Sequence, residues 1–505
     1  MITKEYHKAS SKEWIGLAVL ALPTLLLGLD VTALYLAFPA LATDLQPNST
    51  EALWIMDAYG IFIAGFLITM GTLGDRIGRR KLLMIGASAF GVASVMAAYS
   101  NSAEILIVAR AILGIAGSAL MPSTLALISN MFVDPRQRSL AIGIWVTMFA
   151  LGMAAGPLVG GVLVEYFWWG AAFLIAVPVV SIMLVLAPFF LPEYREPQKG
   201  HFDLHSVILS LLALLPVIYG IKHAAKYGFD FISIISIIIG GIFGVVFVNR
   251  QLKLDSPLLD MKLFTNRAFS VALSILLIGL VGVGGVMLLV TQYLQMVVGL
   301  SPLSAGMWMG PPAFMMFLAA IVSPLIARYV RPGFVVAGSL VLSTVGYLLL
   351  TRLETSSSIS LVVVGFSLIY LGLGTIASLG TDLVIGSAPI AKAGAASAIS
   401  ETAQELGLAV GVAVLGSLTT TIYRNQIDEY IPSYLSDNIK MSVQDSLWSA
   451  TSVADSLPLG LFEQAKEAFT FGLNMVNWVG AIVIFILAML SAIALRHIGA
   501  VGKPN

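Results

Sequence analysis

Six ionisable residues stand in or at the ends of long apolar runs: Asp30, Asp57, Arg110, Asp382, Glu401 and Glu405. A charge at the centre of a bilayer costs about 2.5–3.5 kcal/mol on insertion scales, and those that persist are usually functional. Burial raises a carboxyl's affinity for protons, and a nearby cation lowers it. A carboxyl in such a place can therefore exchange a proton for a cationic ligand as its exposure changes. Arg110 is the natural partner of Asp30; the alternative is a static ion pair that only fixes helix packing. Glu401 and Glu405 are four residues apart and share one helical face, where two acids repel unless one is protonated. Asp57 reads either as a binding acid or as a residue at the outer interface, and Asp382 as a helix-end residue at the surface. The proton-coupling candidates are Asp30, Arg110, Glu401 and Glu405. The substrate-binding candidates are Asp30, Trp54, Asp57, Tyr59, Glu401 and Glu405.

Other chemistries find little support. The chain has no cysteine, which excludes disulfides and thiolate metal sites. His7, His201, His205, His223 and His497 lie outside the long apolar runs, so a histidine relay is not expected. His201 and His205, with Asp203 between them, have a spacing that could hold a metal, but solvated loop residues are the commoner outcome. There is no phosphate-cradling loop, no sign of nucleic-acid binding, and no nucleophile–base constellation. No cofactor is expected, and an ion gradient must supply the energy.

The elements that hold these residues must be membrane helices. The chain has 505 residues, 58% hydrophobic and 11% charged, whereas soluble domains run near 25% charged. About 20 apolar residues cross a bilayer as a helix. Fourteen spans are expected, at 14–36, 53–73, 82–100, 104–130, 139–164, 170–191, 205–222, 229–249, 268–296, 303–327, 332–351, 358–386, 393–422 and 474–497. The first is read as a retained helix despite Ala40-Leu41-Ala42, because the run before it is too long for a signal segment and carries Asp30. With both termini in the cytoplasm, roughly three quarters of the lysines and arginines fall on the inner face. The outer face is left with Lys222, Lys226, Arg352, Arg424, Lys440 and Lys466.

The fold class is therefore an all-α polytopic membrane protein. Residues 1–13 form a cytoplasmic N-terminus and 14–191 a six-helix bundle. Residues 192–267 form a linker with two additional spans, expected to be peripheral because they lack membrane carboxylates. Residues 268–497 form a second six-helix bundle, with an extracellular loop at 424–470 and a cytoplasmic tail at 498–505. That loop is expected to be a solvated surface loop or a hairpin over the exit. Two six-helix halves around a central path are a common transporter plan.

The loop after the second span reads Gly71-Thr72-Leu73-Gly74-Asp75-Arg76-Ile77-Gly78-Arg79-Arg80-Lys81. Glycines allow a tight turn, and Asp75 can sit against a helix end or a basic partner as a latch. This pattern resembles the signature loop of the major facilitator superfamily. Arg110-Ala111-Ile112-Leu113-Gly114 in span 4 is similar to that superfamily's second motif, whose arginine is tied to proton coupling. Gly152-Met153-Ala154-Ala155-Gly156-Pro157-Leu158-Val159-Gly160-Gly161 in span 5 resembles its antiporter motif, where Pro157 removes a helix hydrogen bond and the glycines allow close packing. Gly71, Asp75, Arg76, Gly78, Arg79, Gly156, Pro157 and Gly160 are the conformational-gating candidates. Leu29-Asp30-Val31-Thr32 in span 1, Leu53-Trp54-Ile55-Met56-Asp57-Ala58-Tyr59, Trp168-Trp169-Gly170, and the segment from Ala393 to Gly407 all resemble the fourteen-helix drug/proton antiporters, and within them the quaternary-ammonium and dye exporters.

The resemblance implies a proton-coupled exporter of hydrophobic, mainly cationic drugs such as quaternary ammonium compounds and dyes, with fluoroquinolones as further candidate cargo. It implies a bacterial cytoplasmic membrane and acids in spans 1, 2 and 13 that bind protons and cations. The partners expected are such cations, protons and lipid, and the protein is expected as a monomer. Some members carry an acid in span 10 linked to dications; here that stretch reads Pro311-Pro312-Ala313-Phe314-Met315-Met316, which puts dication recognition in doubt. Trp54, Tyr59, Trp145, Tyr293, Trp308 and Tyr370, with several methionines, are candidate walls for a cation. The alternatives are a narrow exporter of one metabolite and, more remotely, a membrane receptor or enzyme.

Overall fold

The computed structural model describes residues 9–195, 203–254, 257–388, 393–496 and 498–499. His7, Lys199, His201, Lys392, His497, the segment 1–8 and the tail from 500 onward, used above for topology and the metal spacing, lie outside them.

Fourteen helices among the described residues are long and apolar enough to cross a bilayer. They are α1 Ser11–Leu45, α2 Ser49–Ile77, α3 Arg79–Ala98, α4 Ala103–Met131, α5 Leu140–Tyr166, α6 Ala171–Phe190, α7 Leu204–Tyr227, α8 Phe231–Lys253, α9 Arg267–Val297, α10 Pro302–Ile326, α11 Pro332–Leu350, α12 Ile359–Gly386, α13 Ala395–Asp428 and α14 Leu461–Ala494. The expected count of fourteen is met. Hydrocarbon offers no partner for a free backbone group, so each crossing closes its own hydrogen bonds as a helix. Local signals set the ends. Ser10 with Glu13 and Asn48 with Glu51 form reciprocal capping boxes at the starts of α1 and α2. Gly78 turns α2 into α3 at φ 113°, a backbone region that a side chain strains to adopt.

Several helices run past their expected ends, α1 to Leu45 among them, and two of these differences bear on the site. The stretch Leu461 to Phe469 is not loop but the first turns of α14, with Ala465, Ala468 and Phe469 buried and a Lys466–Glu463 pair facing out. The rest of the 424–470 region is the end of α13 and two short helices, Asp437–Asp445 and Leu447–Ser452, folded onto the bundle. Helix α7 also runs past the expected end at 222, which carries Lys222 into the packed interior at 1% exposure.

α1 packs on α5, α2 on α4, α9 on α13 and α11 on α14. The inserted pair α7 and α8 pack on each other; Asp203 caps α7 and takes a 2.9 Å bond from Arg250 of α8. Burial pushes the Asp203 carboxyl up, but donation from Arg250 and Ser206 outweighs it and holds the group below its ordinary range. The pair is only half peripheral. One side of α8 is exposed, yet α7 joins Ile218 to Ile61 of α2 and to Ala409 and Ala413 of α13 in one buried cluster.

Contacts between the two six-helix bundles gather toward the face remote from the termini. Gly60 of α2 meets the Glu405 carbonyl and Ala409 of α13, Leu53 meets Gly416, and Gly161 and Pro157 of α5 meet Pro302 and Gly306 of α10. Gln295 donates to the Leu36 carbonyl at 3.2 Å. Near the termini face of α5, a methyl group on Gly143 would meet nothing within 4 Å.

Small residues make the α1–α5 contact backbone-close: a methyl on Gly28 would overlap the Phe149 carbonyl, and one on Gly152 the Leu25 carbonyl. Gly152→Val is therefore expected to lower the melting temperature of the detergent-purified protein by several degrees, since overpacking costs about 1–3 kcal/mol, while Gly143→Ala leaves it unchanged. Equal melting of both variants would show that this contact does not limit stability.

Candidate functional site

Five of the six charged residues singled out by sequence lie within the helix bundle, in two ion pairs and one acidic stretch, and Asp382 stands apart. Arg110 of α4 donates to Asp30 of α1 at 2.9 Å and to the Ile55 carbonyl of α2 at 3.2 Å. Its guanidinium lies 4.6 Å from the Tyr59 ring centroid. The expected Asp30–Arg110 pairing is thus present, with side chains 8% and 2% exposed. Taking both charges out of water is costly, so the pair holds only while both members stay, and breaking such a pair costs about 3–5 kcal/mol.

Asp57 has a partner that sequence reading did not supply. Lys222 of α7 lies 2.9 Å from one carboxylate oxygen and 2.8 Å from the other, with both side chains fully buried. The ammonium also sits 3.8 Å from the centroid of the Trp54 ring. Asp57 and Lys222 are therefore enclosed by protein rather than facing solvent. The signal was present: a lysine inside an apolar helix needs an acid partner. It was lost because the span was ended at that lysine.

Glu401 and Glu405 lie on one face of α13, Glu405 buried and Glu401 half-buried toward the termini face. Among the described residues neither makes an ion pair. Tyr35, Met56, Asp57, Tyr59, Arg110 and Glu405 line one cavity between α1, α2, α4 and α13. Its volume of about 20 Å³ holds a water but not a drug. The Tyr59 hydroxyl is buried without a hydrogen-bond partner. Trp54 stands apart from this cavity, against Lys222.

The remaining candidates take other places. Asp382 is exposed. The Trp145 indole donates to Thr124, the Tyr293 hydroxyl to the Glu354 carbonyl, and the Tyr370 hydroxyl contacts the Met287 sulfur, while Trp308 is exposed. Among the described residues no cluster of three or more metal-ligating side chains occurs.

The gating candidates divide between two places. At the α2–α3 turn Asp75 pairs with Arg79 at 2.5 Å, Arg79 reaches the Pro122 carbonyl of α4, and its backbone N–H donates to the Tyr194 carbonyl at 2.9 Å. Gly78 leaves room for Glu193, Arg76 is exposed, and Gly71 faces Pro122. These contacts tie the turn to α4 and to the end of α6. On α5, Gly156 lies against Leu29 and Thr32 and Gly160 against Ala33, while Pro157 faces α10 through Gly306. One stretch of α5 thus contacts both bundles.

A further cross-linking contact was not visible in sequence. Asp445, between the two short helices, accepts from the Ser49 backbone N–H at 2.8 Å and the Ser49 hydroxyl at 2.9 Å, at the start of α2. Lys226 of α7 lies 3.6 Å away and Arg424 of α13 3.8 Å away. Trp448 donates to the Pro47 carbonyl and packs edge-on against Phe38. Together they close the face remote from the termini.

Comparisons with known proteins fit this geometry. A family model described as Major Facilitator Superfamily matches residues 20–412. The chain is 39% identical to the multidrug efflux pump LfrA of Mycolicibacterium smegmatis, covering 98% of this chain and 99% of that one. It is 32% identical to the methyl viologen resistance protein SmvA of Salmonella typhimurium, covering 91% and 93%. Among solved structures, a bacterial homologue of the human lysosomal transporter Spinster, inward-facing and unoccupied, aligns with a TM-score of 0.67 at 16% identity, over 96% of this chain and 97% of that one.

If Asp445 holds the remote face shut, Asp445→Asn should open it. A cysteine placed at Val412, which lines the cavity, would be the only one in the chain. Its labelling by an impermeant maleimide from the remote face is expected to rise about tenfold, the factor that corresponds to 1.4 kcal/mol. An unchanged rate would show that the Asp445 contacts do not hold the seal.

Proposed function

This chain belongs to the Major Facilitator Superfamily and is a transporter rather than an enzyme, and on that premise we propose that it exports hydrophobic cations, drugs among them, in exchange for protons. The observation that carries this is the charge balance within the helix bundle. Arg110 answers Asp30 and Lys222 answers Asp57, while Glu401 and Glu405 stand on one face of α13 with no cationic partner among the described residues. An acid enclosed without a cation must hold a proton or take a positively charged ligand in its place.

In this reading the termini face is cytoplasmic. Glu401, half-buried toward that face, meets the entering cation first, and Glu405 holds it in the cavity. Tyr35, Tyr59 and Met56 supply aromatic and adaptable apolar walls there. The cavity is collapsed in this conformation, and outward release requires α2 and α13 to part along the Gly60–Ala409 contact, on the side remote from the termini. The α5 glycines, packed on α1 and α10, give that motion close surfaces to move against. Proton entry from outside then displaces the cation outward. Substrates such as quaternary ammonium ions and dyes suit this site, and the likeness to LfrA and SmvA supports drug cargo.

In proteoliposomes with an imposed pH gradient, ethidium transport is expected to follow the gradient and to stop when nigericin collapses it. Glu405→Gln or Glu401→Gln should cut gradient-driven transport tenfold or more with no loss of folded protein. Full coupled transport in both variants would contradict the assignment.

A further inference from the structure

We propose that Lys222 is a tethered cation occupying a second cation site of this carrier, and that by neutralising Asp57 it confines the cargo to a single positive charge. The proposal rests on the reading of the protein as a cation exporter and adds a specificity-determining residue on an inserted helix.

Three observations converge. The Lys222 ammonium is held as a hydrophobic ammonium ligand would be: both Asp57 oxygens within 2.9 Å, and the Trp54 ring face 3.8 Å away. Asp57 also lines the same cavity as Glu405, so the pair borders the main site. The polar groups lining that cavity besides Asp57 are Arg110, which answers Asp30, Tyr35, Tyr59 and Glu405. With Lys222 in place, Glu405 is the one cavity-lining acid without a cationic partner among the described residues. Without it, Asp57 and Glu405 would offer two negative charges on facing helices, which is the complement of a dication.

The third observation is spatial. Trp54 also walls a groove of about 620 Å³ between α2, α4, α7 and α8, lined by Phe62, Val108, Leu215 and Tyr219. Its volume is drug-sized and its walls are mainly apolar. Lys222 and this open groove thus share Trp54, so an apolar body lying in the groove touches the ring that holds the ammonium. The competing account is that Asp57–Lys222 only staples α7 to α2. A staple predicts altered stability but no preference that depends on ligand charge.

Ethidium and propidium separate the two accounts, because they share one aromatic ring system and carry one and two positive charges. Their equilibrium binding to the full chain in lipid nanodiscs is measured for wild type, Lys222→Gln, Asp57→Asn and the double variant. Wild type is expected to favour ethidium. Lys222→Gln should shift the ratio of dissociation constants tenfold or more toward propidium. Asp57→Asn leaves Lys222 uncompensated and should weaken propidium more than ethidium, and the double variant should bring the ratio back. If Lys222→Gln does not fold, Asp57→Asn and the double variant decide the matter by the same ratio. A ratio that stays constant across folded variants overturns the proposal, as does failure of folded wild type and Lys222→Gln to bind either dye. No gradient is used, so a charge-dependent ratio in a protein that fails pH-driven transport counts against antiport and not against this site.

Discussion

Charge in hydrocarbon must be answered where it stands, and the rest of this molecule is arranged around that requirement. Asp30–Arg110 binds α1 to α4, and Asp57–Lys222 binds α2 to α7. Each pair repays its desolvation only through close, multiple contacts, which is why Arg110 also reaches the Ile55 carbonyl and Lys222 lies on Trp54. Removing one partner leaves a buried charge, so the four helices are held in fixed relation. The acids of α13, Glu401 and Glu405, by contrast make no ion pair among the described residues.

Packing follows a second constraint. Lipid tails give no hydrophobic reward for helix association, so close approach of small residues supplies the contact. The α1–α5 contact is made backbone to backbone through Gly28, Gly152 and Gly156. The bundles meet closely at Gly60, Gly161 and Gly306, with Leu53 against Gly416 and Gln295 on the Leu36 carbonyl beside them. Surfaces of this kind can part without breaking a dense core. The contacts of Asp445 at the remote face link the start of α2 to the ends of α7 and α13.

Much of the architecture was legible in the sequence because its signals are one-dimensional. Fourteen apolar runs, the glycine-rich turn at Gly71 to Lys81, and the acids on α13 need only spacing to be seen. The Asp30–Arg110 pairing could be read because each charge stood alone in an apolar run. Lys222 could not, since ending α7 there turned a membrane charge into a surface one. The inserted pair read as peripheral because it lacks membrane carboxylates, whereas α7 makes its inward contacts through a lysine and an apolar face. Asp445 was invisible for a different reason: its partners Ser49, Lys226 and Arg424 come from three distant segments, and polarity alone marks such a residue as loop. The start of α14 was missed because Glu463, Lys466 and Glu467 mask an apolar face that the fold buries.

The central claim is that the acids of α13, and not those already paired, exchange protons for cargo. Proton release on binding measures this directly. Purified protein in weakly buffered solution is titrated with tetraphenylphosphonium, a cation that cannot itself titrate, while a pH indicator records the change. Release of on the order of one proton per bound cation is expected in wild type, by linkage between the two ligands. It should be lost in the Glu401→Gln/Glu405→Gln variant. Release of the same size from that variant would contradict the account and move proton exchange to another group.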